Sequence, residues 1–282
     1  MKKLSKEETG RLGLYEFQGY IGAMTSPTFG GWRGTDRLLS LLSIGEMKKP
    51  KILEVGCCTG YVTRRVAQRF DCEIIGVDLS PLLLDIAEEE SRRLKLHNVS
   101  FICADVVALP FPDNLFDVVY GEAITALVPD PARVLSEYER VLRPGGKVAT
   151  LDLFRKESLS EDLLAETNRL MSGVIGTQIR LRDLTQWEQL FRESRFGSIA
   201  VHDYYEDLFV RDYSPGKRLQ LILRLLYHVT VNKEIRKKIV PPMKFAGAFQ
   251  RALKGGGFGY FIFTGVKEPA YREEPSWTPA HV

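Results

Sequence analysis

The residues whose types and spacing could do chemistry are Gly56-Cys57-Cys58-Thr59-Gly60, Asp78, Asp105 and Glu122. A glycine-rich loop lets its backbone come close to a ligand, and a helix start behind it offers free N–H groups. The loop is no dinucleotide fingerprint, because Cys58 and Tyr61 stand where G-x-G-x-x-G needs glycine. The lysine of a phosphate-binding loop is missing as well. Asp78 can accept from both hydroxyls of a ribose diol. Loop and acid together suit a ribose-bearing ligand without a pyrophosphate. The adjacent Cys57 and Cys58 raise the question of metal or redox chemistry. Vicinal cysteines bridge each other with difficulty, and no third ligand is spaced nearby. Both read as small packing residues, and no metal is expected.

These residues need elements to position them. From Lys51 to Asp152 short apolar runs alternate with amphipathic ones. Ile52–Val55, Ile74–Val77, Val99–Cys103, Asp117–Tyr120 and Lys147–Leu151 read as strands buried on both faces. Thr59–Phe70, a segment from Ser80-Pro81 toward Leu96, and Pro131–Leu142 read as the helices between them. Ser80 is the expected N-cap, with proline at the first helical position. The alternation predicts right-handed βαβ units and a parallel sheet, whose ligands sit at the carboxyl ends of strands. The candidate residues all follow strands. Farther on, Trp187–Phe191 reads as part of an amphipathic helix, Ile199–Tyr205 as a sixth strand and Gly259–Glu268 as a last one.

The stretches "ILEVGCCTGYVTRRVA", "IIGVDLSPLLLDIAEE", "VSFICADVVALPFPDNLFDVVYGEAI" and "RVLSEYERVLRPGGKVATLD" together resemble a class I S-adenosylmethionine-dependent methyltransferase of the small-molecule, type 11-like kind. The resemblance covers roughly residues 30–155 and the final strands. It implies an α/β, Rossmann-like, doubly wound sheet of seven strands, mostly parallel with an antiparallel last strand. Helical N-terminal and C-terminal lid elements would flank it. It implies S-adenosylmethionine as cofactor and S-adenosylhomocysteine as product. Glu54 and Gly56 through Gly60, with Cys57, Cys58 and Thr59, match the motif along the methionine part. Asp78 matches the ribose carboxylate, Leu79 with Ser80 the segment beside the adenine. Asp105 and Val106 match the pair that meets the adenine amino group and covers the ring. Gly121 and Glu122 match the segment bordering the sulfonium. Many members have glycine where Cys58 stands.

Methyl transfer from a sulfonium is an in-line displacement that rests on alignment and desolvation. A base is needed only where the acceptor loses a proton, and Glu122 is the candidate. "FGGWRGTDRLLSLL" is similar to the segment that closes over the cofactor in small-molecule members. It offers Gly30, Gly31 and Thr35, with Tyr15, Tyr20 and His228 as further lid or acceptor residues. Residues 211–256 carry eleven Lys/Arg and two acids, a local +9 against −6 elsewhere. Leu219, Ile222, Leu223, Leu226 and Val229 form one helical stripe there, opposite Lys217, Gln220, Arg224 and His228. Packing of that stripe on its own domain is expected. Charge and stripe suit a lipophilic or anionic small-molecule acceptor and are compatible with transient membrane-surface contact. Sparse aromatic residues in the basic segment argue against nucleic acid. An RNA methyltransferase and a catalytically silent cofactor-binding subunit are the competing classes.

The expected organisation is an N-terminal helical cap (1–45), a cofactor-binding core (46–154), a helical insert and lid with the sixth strand (155–256), the last strand (257–268) and a loose tail (269–282). No apolar run approaches a membrane span and none follows the basic opening "MKKLSKEETGR", so no secretory signal is read. The four cysteines form no disulfide framework, which suits a cytoplasmic protein. A monomer or a homodimer is expected.

Overall fold

The computed structural model describes residues 4–23, 31–176, 178–204, 214–237 and 257–269. The β-branched runs form β1 (Lys51–Val55), β2 (Glu73–Asp78), β3 (Val99–Cys103), β4 (Phe116–Glu122), β5 (Leu142–Arg155), β6 (Phe196–Tyr204) and β7 (Phe258–Lys267). They make one sheet in the order β3-β2-β1-β4-β5-β7-β6. The first five strands pair in parallel, while β7 runs antiparallel to both β5 and β6. The order reverses between β1 and β4, so the loops after these strands lie side by side at the switch point.

Helices cover both faces. On one lie α3 (Gly31–Leu41), α4 (Tyr61–Arg69) and α7 (Glu161–Ile175), burying Leu38, Val66, Leu164 and Met171 against the sheet. On the other lie α6 (Pro131–Val141) and α8 (Leu184–Glu193). There Phe191 stacks on Phe263 and the Trp187 indole donates to the Leu153 carbonyl, 3.1 Å away. A buried indole is stabilised when its N–H finds such a partner. The stretch read as an insert thus contributes α7, α8 and β6 to the core layers. The fifth strand is longer than Lys147–Leu151 because β7 pairs with it from Lys147 to Arg155. Leu142 already pairs with Phe116, across a bulge.

A separate cap is built from α1 (Lys6–Arg11), α2 (Leu14–Tyr20) and α9 (Pro215–Val231), followed by a helical turn at 233–237. Phe17, Tyr20, Ile21 and Ile235 form its centre, with Leu225 and Val229 packed on them. Asn232 ties it together, donating to the Lys6 carbonyl and accepting from the Glu234 N–H. The stripe expected to pack inward faces the other way. Leu219, Ile222, Leu223 and Leu226 are exposed. Only Val229, together with Leu225, turns to the cap. Arg224 and His228, expected on the outer face, meet α2 instead. The Arg224 guanidinium donates to the Ile21 carbonyl, and the His228 ring lies edge-on to Phe17.

Candidate active site

The loop after β1 is shaped by its two glycines. Gly56 has φ +72, and a Cβ there would lie 2.1 Å from Ile124 Cγ1. Gly60 has φ +65, caps the start of α4, and a Cβ there would lie 2.6 Å from the Phe101 ring. Both a left-handed backbone and a close neighbour therefore require glycine. Ile124 belongs to the loop after β4, so the two loops at the switch point touch. Cys58 also adopts a positive φ, +49. That is strained for a residue with a Cβ and explains why glycine suits the position. Cys57 is buried with its sulfur against β2, where a Cβ on Gly76 would come within 2.8 Å. Burial, then the nearby Glu54 carboxylate, raises its thiol pKa. For Cys58 burial and then Asp78 do the same. Thiols held protonated in this way are weak nucleophiles and poor ligands.

Asp78 closes the loop from the end of β2. Its two oxygens accept the N–H groups of Cys58 and Ser80, each at 2.9 Å. A carboxylate has further lone pairs, so capacity for a diol remains. Leu79 is exposed beside it, an apolar surface at the mouth of the loop. Ser80 caps α5 (Pro81–Arg93) and donates to Glu16 of α2 at 2.7 Å. Asp105 follows β3, exposed and held by the Val107 N–H, with Val106 buried behind it. Thr59 is buried, and its carbonyl accepts from Arg64.

Glu122 ends β4, next to Gly121, whose missing Cβ would meet the Tyr138 hydroxyl at 2.8 Å. Thr35 of α3 donates to Glu122 Oε2 at 3.0 Å. The other oxygen, Oε1, is buried with no hydrogen-bond partner among the described residues. Burial, then the Glu54 carboxylate, pushes the Glu122 pKa up to about 8, against the Thr35 hydrogen bond. Glu54, buried beneath the loop beside Thr63 and Tyr120, is pushed up to about 7, again chiefly by burial. Glu54 thus raises Glu122, while the acid that adds to the burial of Glu54 is Asp78.

The loop, Asp78, Asp105, Gly121, Glu122 and Thr35 are thus gathered at the carboxyl edge of the sheet. Tyr15 joins them. Part of its ring is exposed, and burial, then the Cys58 thiol beside it, keeps its hydroxyl pKa high. Gly19 of the same helix packs on Leu83 and Thr59, so α2 covers the glycine loop. Tyr20 and His228 do not join the group. Tyr20 is buried in the cap, where its hydroxyl accepts from Leu4 N–H, and His228 contacts Phe17, Tyr20 and Tyr227. Gly31 is buried at the start of α3, and Gly30 lies outside the described residues.

Two participants were not anticipated. Glu16 joins α2 to Ser80 while capping its own helix through the Gly13 N–H. Asp152, fully buried in β5, accepts the Ala126 N–H and so holds the loop after β4 behind Glu122. A lone acid inside the apolar run "ATLDLF" was the available signal for Asp152. Nothing local marks Glu16, whose partner is 64 positions away.

A methyltransferase domain model matches residues 53–150 of the chain. Phosphoethanolamine N-methyltransferase 3 of Arabidopsis thaliana is 29% identical over 177 residues, 62% of this chain. The chain spans only 34% of that protein's length. Among solved structures, the [4+2]-cyclase SpnF superposes with a TM-score of 0.67 at 22% identity, covering 92% of this chain and 96% of that one. Phosphoethanolamine N-methyltransferase 2 of Haemonchus contortus, solved with S-adenosyl-L-methionine, gives 0.66 at 20% identity, over 94% and 58%. Residues 53–150 thus match a methyltransferase domain, and the fold around them is similar to that of these solved structures.

Proposed function

We propose that this chain binds S-adenosylmethionine along the loops after β1, β2 and β3 and methylates a small-molecule acceptor that loses a proton in the reaction. One observation carries the reading: Glu122 presents a buried oxygen with no partner among the described residues at the switch point, while Thr35 fixes its other oxygen. The donor set fits the cofactor. Gly56 and Gly60 leave backbone open to close approach, Asp78 retains acceptor capacity for a ribose, and exposed Leu79 and Asp105 offer an apolar surface and an acceptor for a base. When bound, the cofactor supplies a methyl group already activated on a sulfonium.

The chain's own residues then do three things. The touching loops after β1 and β4 fix the site's floor, and Thr35 orients the Glu122 carboxylate. Helix α2 covers the glycine loop and limits water. Glu122 accepts the acceptor's proton at Oε1, a role its raised pKa suits near neutral pH. The acceptor class that fits is a hydroxyl, an ammonium or an acidic carbon on a lipophilic or anionic molecule. An RNA acceptor draws less support, since Lys217 and Arg224 lie against the Ile21-Gly22 end of the cap.

The test is methyl transfer from isotopically labelled cofactor into a panel of phenols, amines and phosphorylated amines, read by mass spectrometry. Wild type should label at least one member, and Glu122→Gln should lose at least about tenfold in kcat with cofactor affinity retained. Failure of wild type to bind S-adenosylhomocysteine in calorimetry defeats the reading. Full activity in Glu122→Gln removes the base from it.

A further inference from the structure

Helix α9 is apolar on the face that points away from the protein. Leu219, Ile222, Leu223, Leu226 and Tyr227 are each 47% to 61% exposed. Their spacing places them on one strip about 12 Å long. Exposed apolar side chains scattered singly are ordinary, whereas a contiguous strip marks an interaction surface. The strip is no accident of helix rotation. The opposite face is already occupied, by Leu225 and Val229 against Phe17 and Ile21 and by Arg224 on the Ile21 carbonyl.

The surroundings of the strip are cationic. No acid occurs between Pro215 and Val231. Arg236 folds back on the end of the helix, donating to the Val229 carbonyl at 3.1 Å and the Thr230 carbonyl at 3.2 Å. Thr230 lies one turn beyond the strip on the same face, so this guanidinium stands at its C-terminal end. Exposed Lys233 and Lys237 follow, with Glu234 paired to Lys237 as the local acid. The wider segment 211–256 carries +9 while the rest of the chain carries −6. No helix of the described residues is long and apolar enough to cross a membrane. An apolar strip rimmed by cations fits a partner that is apolar within and anionic at its border. A second copy of the chain fits poorly, because a two-fold contact would bring the cationic rims together.

We propose that α9 docks this chain on an anionic phospholipid bilayer, with the strip at the acyl boundary and the basic residues among the headgroups. Because α9 is bound to α2, and α2 covers the glycine loop, the docked surface is the cap of the active site. The test uses the purified full chain and sedimentation with vesicles of phosphatidylcholine alone or with 40% phosphatidylglycerol (about 0.1 M salt). Wild type should bind the anionic vesicles, release in about 0.5 M salt and leave the neutral ones. Leu223→Glu with Leu226→Glu should weaken binding at least about tenfold. Circular dichroism and S-adenosylhomocysteine titration of the same variant should match wild type, which separates docking from folding and from the cofactor site. Absence of vesicle binding, equal binding by the variant, or equal binding to neutral vesicles overturns the proposal. So does light scattering that shows a dimer which the variant dissociates, since the strip is then a contact between copies.

Discussion

At the scale of single residues, the ribose acid makes the plainest prediction. Asp78→Ala removes two accepted N–H bonds from the loop and the carboxylate a diol would meet. Cofactor affinity should fall by about 1.5–3 kcal/mol, the range for hydrogen bonds to a charged group, with unfolding still cooperative. Calorimetry with S-adenosylhomocysteine checks it, and unchanged affinity removes Asp78 from the site. Cys58 gives a second. Its φ of +49 favours glycine, so Cys58→Gly should hold or raise stability by up to about 1 kcal/mol. Cys58→Val should lower both melting temperature and cofactor affinity, because a β-branched residue resists that backbone. Equal melting curves for the two variants contradict the strain. The placement of these residues at strand ends was readable in the sequence, for a reason. Asp78 and Glu122 each close a strand and Asp105 follows one, and strand ends in a parallel sheet converge on one edge whatever the distant contacts are. Glu16 and Asp152 were not readable as partners, because their roles depend on contacts across the fold that no spacing encodes.

At the scale of elements, the central strands and the helices between them followed from periodicity, since burial on both faces leaves an uninterrupted apolar signature, whereas β3 at the sheet edge is only partly buried, with Ser100 and Cys103 exposed. The orientation of α9 did not follow. Its sequence holds apolar residues on two sides, Leu225 and Val229 on one and the Leu219–Tyr227 strip on the other, and a pattern alone cannot say which side the cap takes. The structure decides it through α2 and the residue that ends it: the Phe17 and Tyr20 rings receive His228, and the Ile21 backbone carbonyl receives Arg224. Asn232 then fixes the junction, bonding the Lys6 carbonyl and starting the turn at 233–237. Asn232→Ala should destabilise the cap by about 1–2 kcal/mol, the usual cost of losing an N-cap and a buried bond. Amide exchange should quicken in α1, α2 and α9 while β1, β4 and β5 keep wild-type protection. Uniform quickening across the sheet shows instead that cap and core unfold as one unit.

At the scale of the whole molecule, buried acids set how stability responds to pH. Glu122, Glu54 and Asp152 are held up at about 8, about 7 and about 6, from ordinary values of 4.5, 4.5 and 3.8, in each case first by burial. All three folded-state values lie above the unfolded ones. Between roughly pH 4 and pH 8 the native chain therefore binds more protons than the unfolded chain, and stability falls as pH rises. Each unit of pKa difference is worth about 1.4 kcal/mol, so the melting temperature should drop at least about 3 °C from pH 5.5 to pH 8. Glu54→Gln with Glu122→Gln should flatten that slope. A cation bound beside these carboxyls favours their ionised forms. S-adenosylmethionine, with its sulfonium, should thus raise the melting temperature more at pH 8 than at pH 5.5, whereas the neutral thioether of S-adenosylhomocysteine should show a smaller difference. The fold alone does not guarantee this behaviour, since a [4+2]-cyclase shares it. What carries it is the pair of acids at the switch point. Melting curves of wild type and the double variant, with each ligand at both pH values, decide it. A wild-type stability that rises with pH, or equal pH dependence for the two ligands, places the sulfonium away from Glu54 and Glu122.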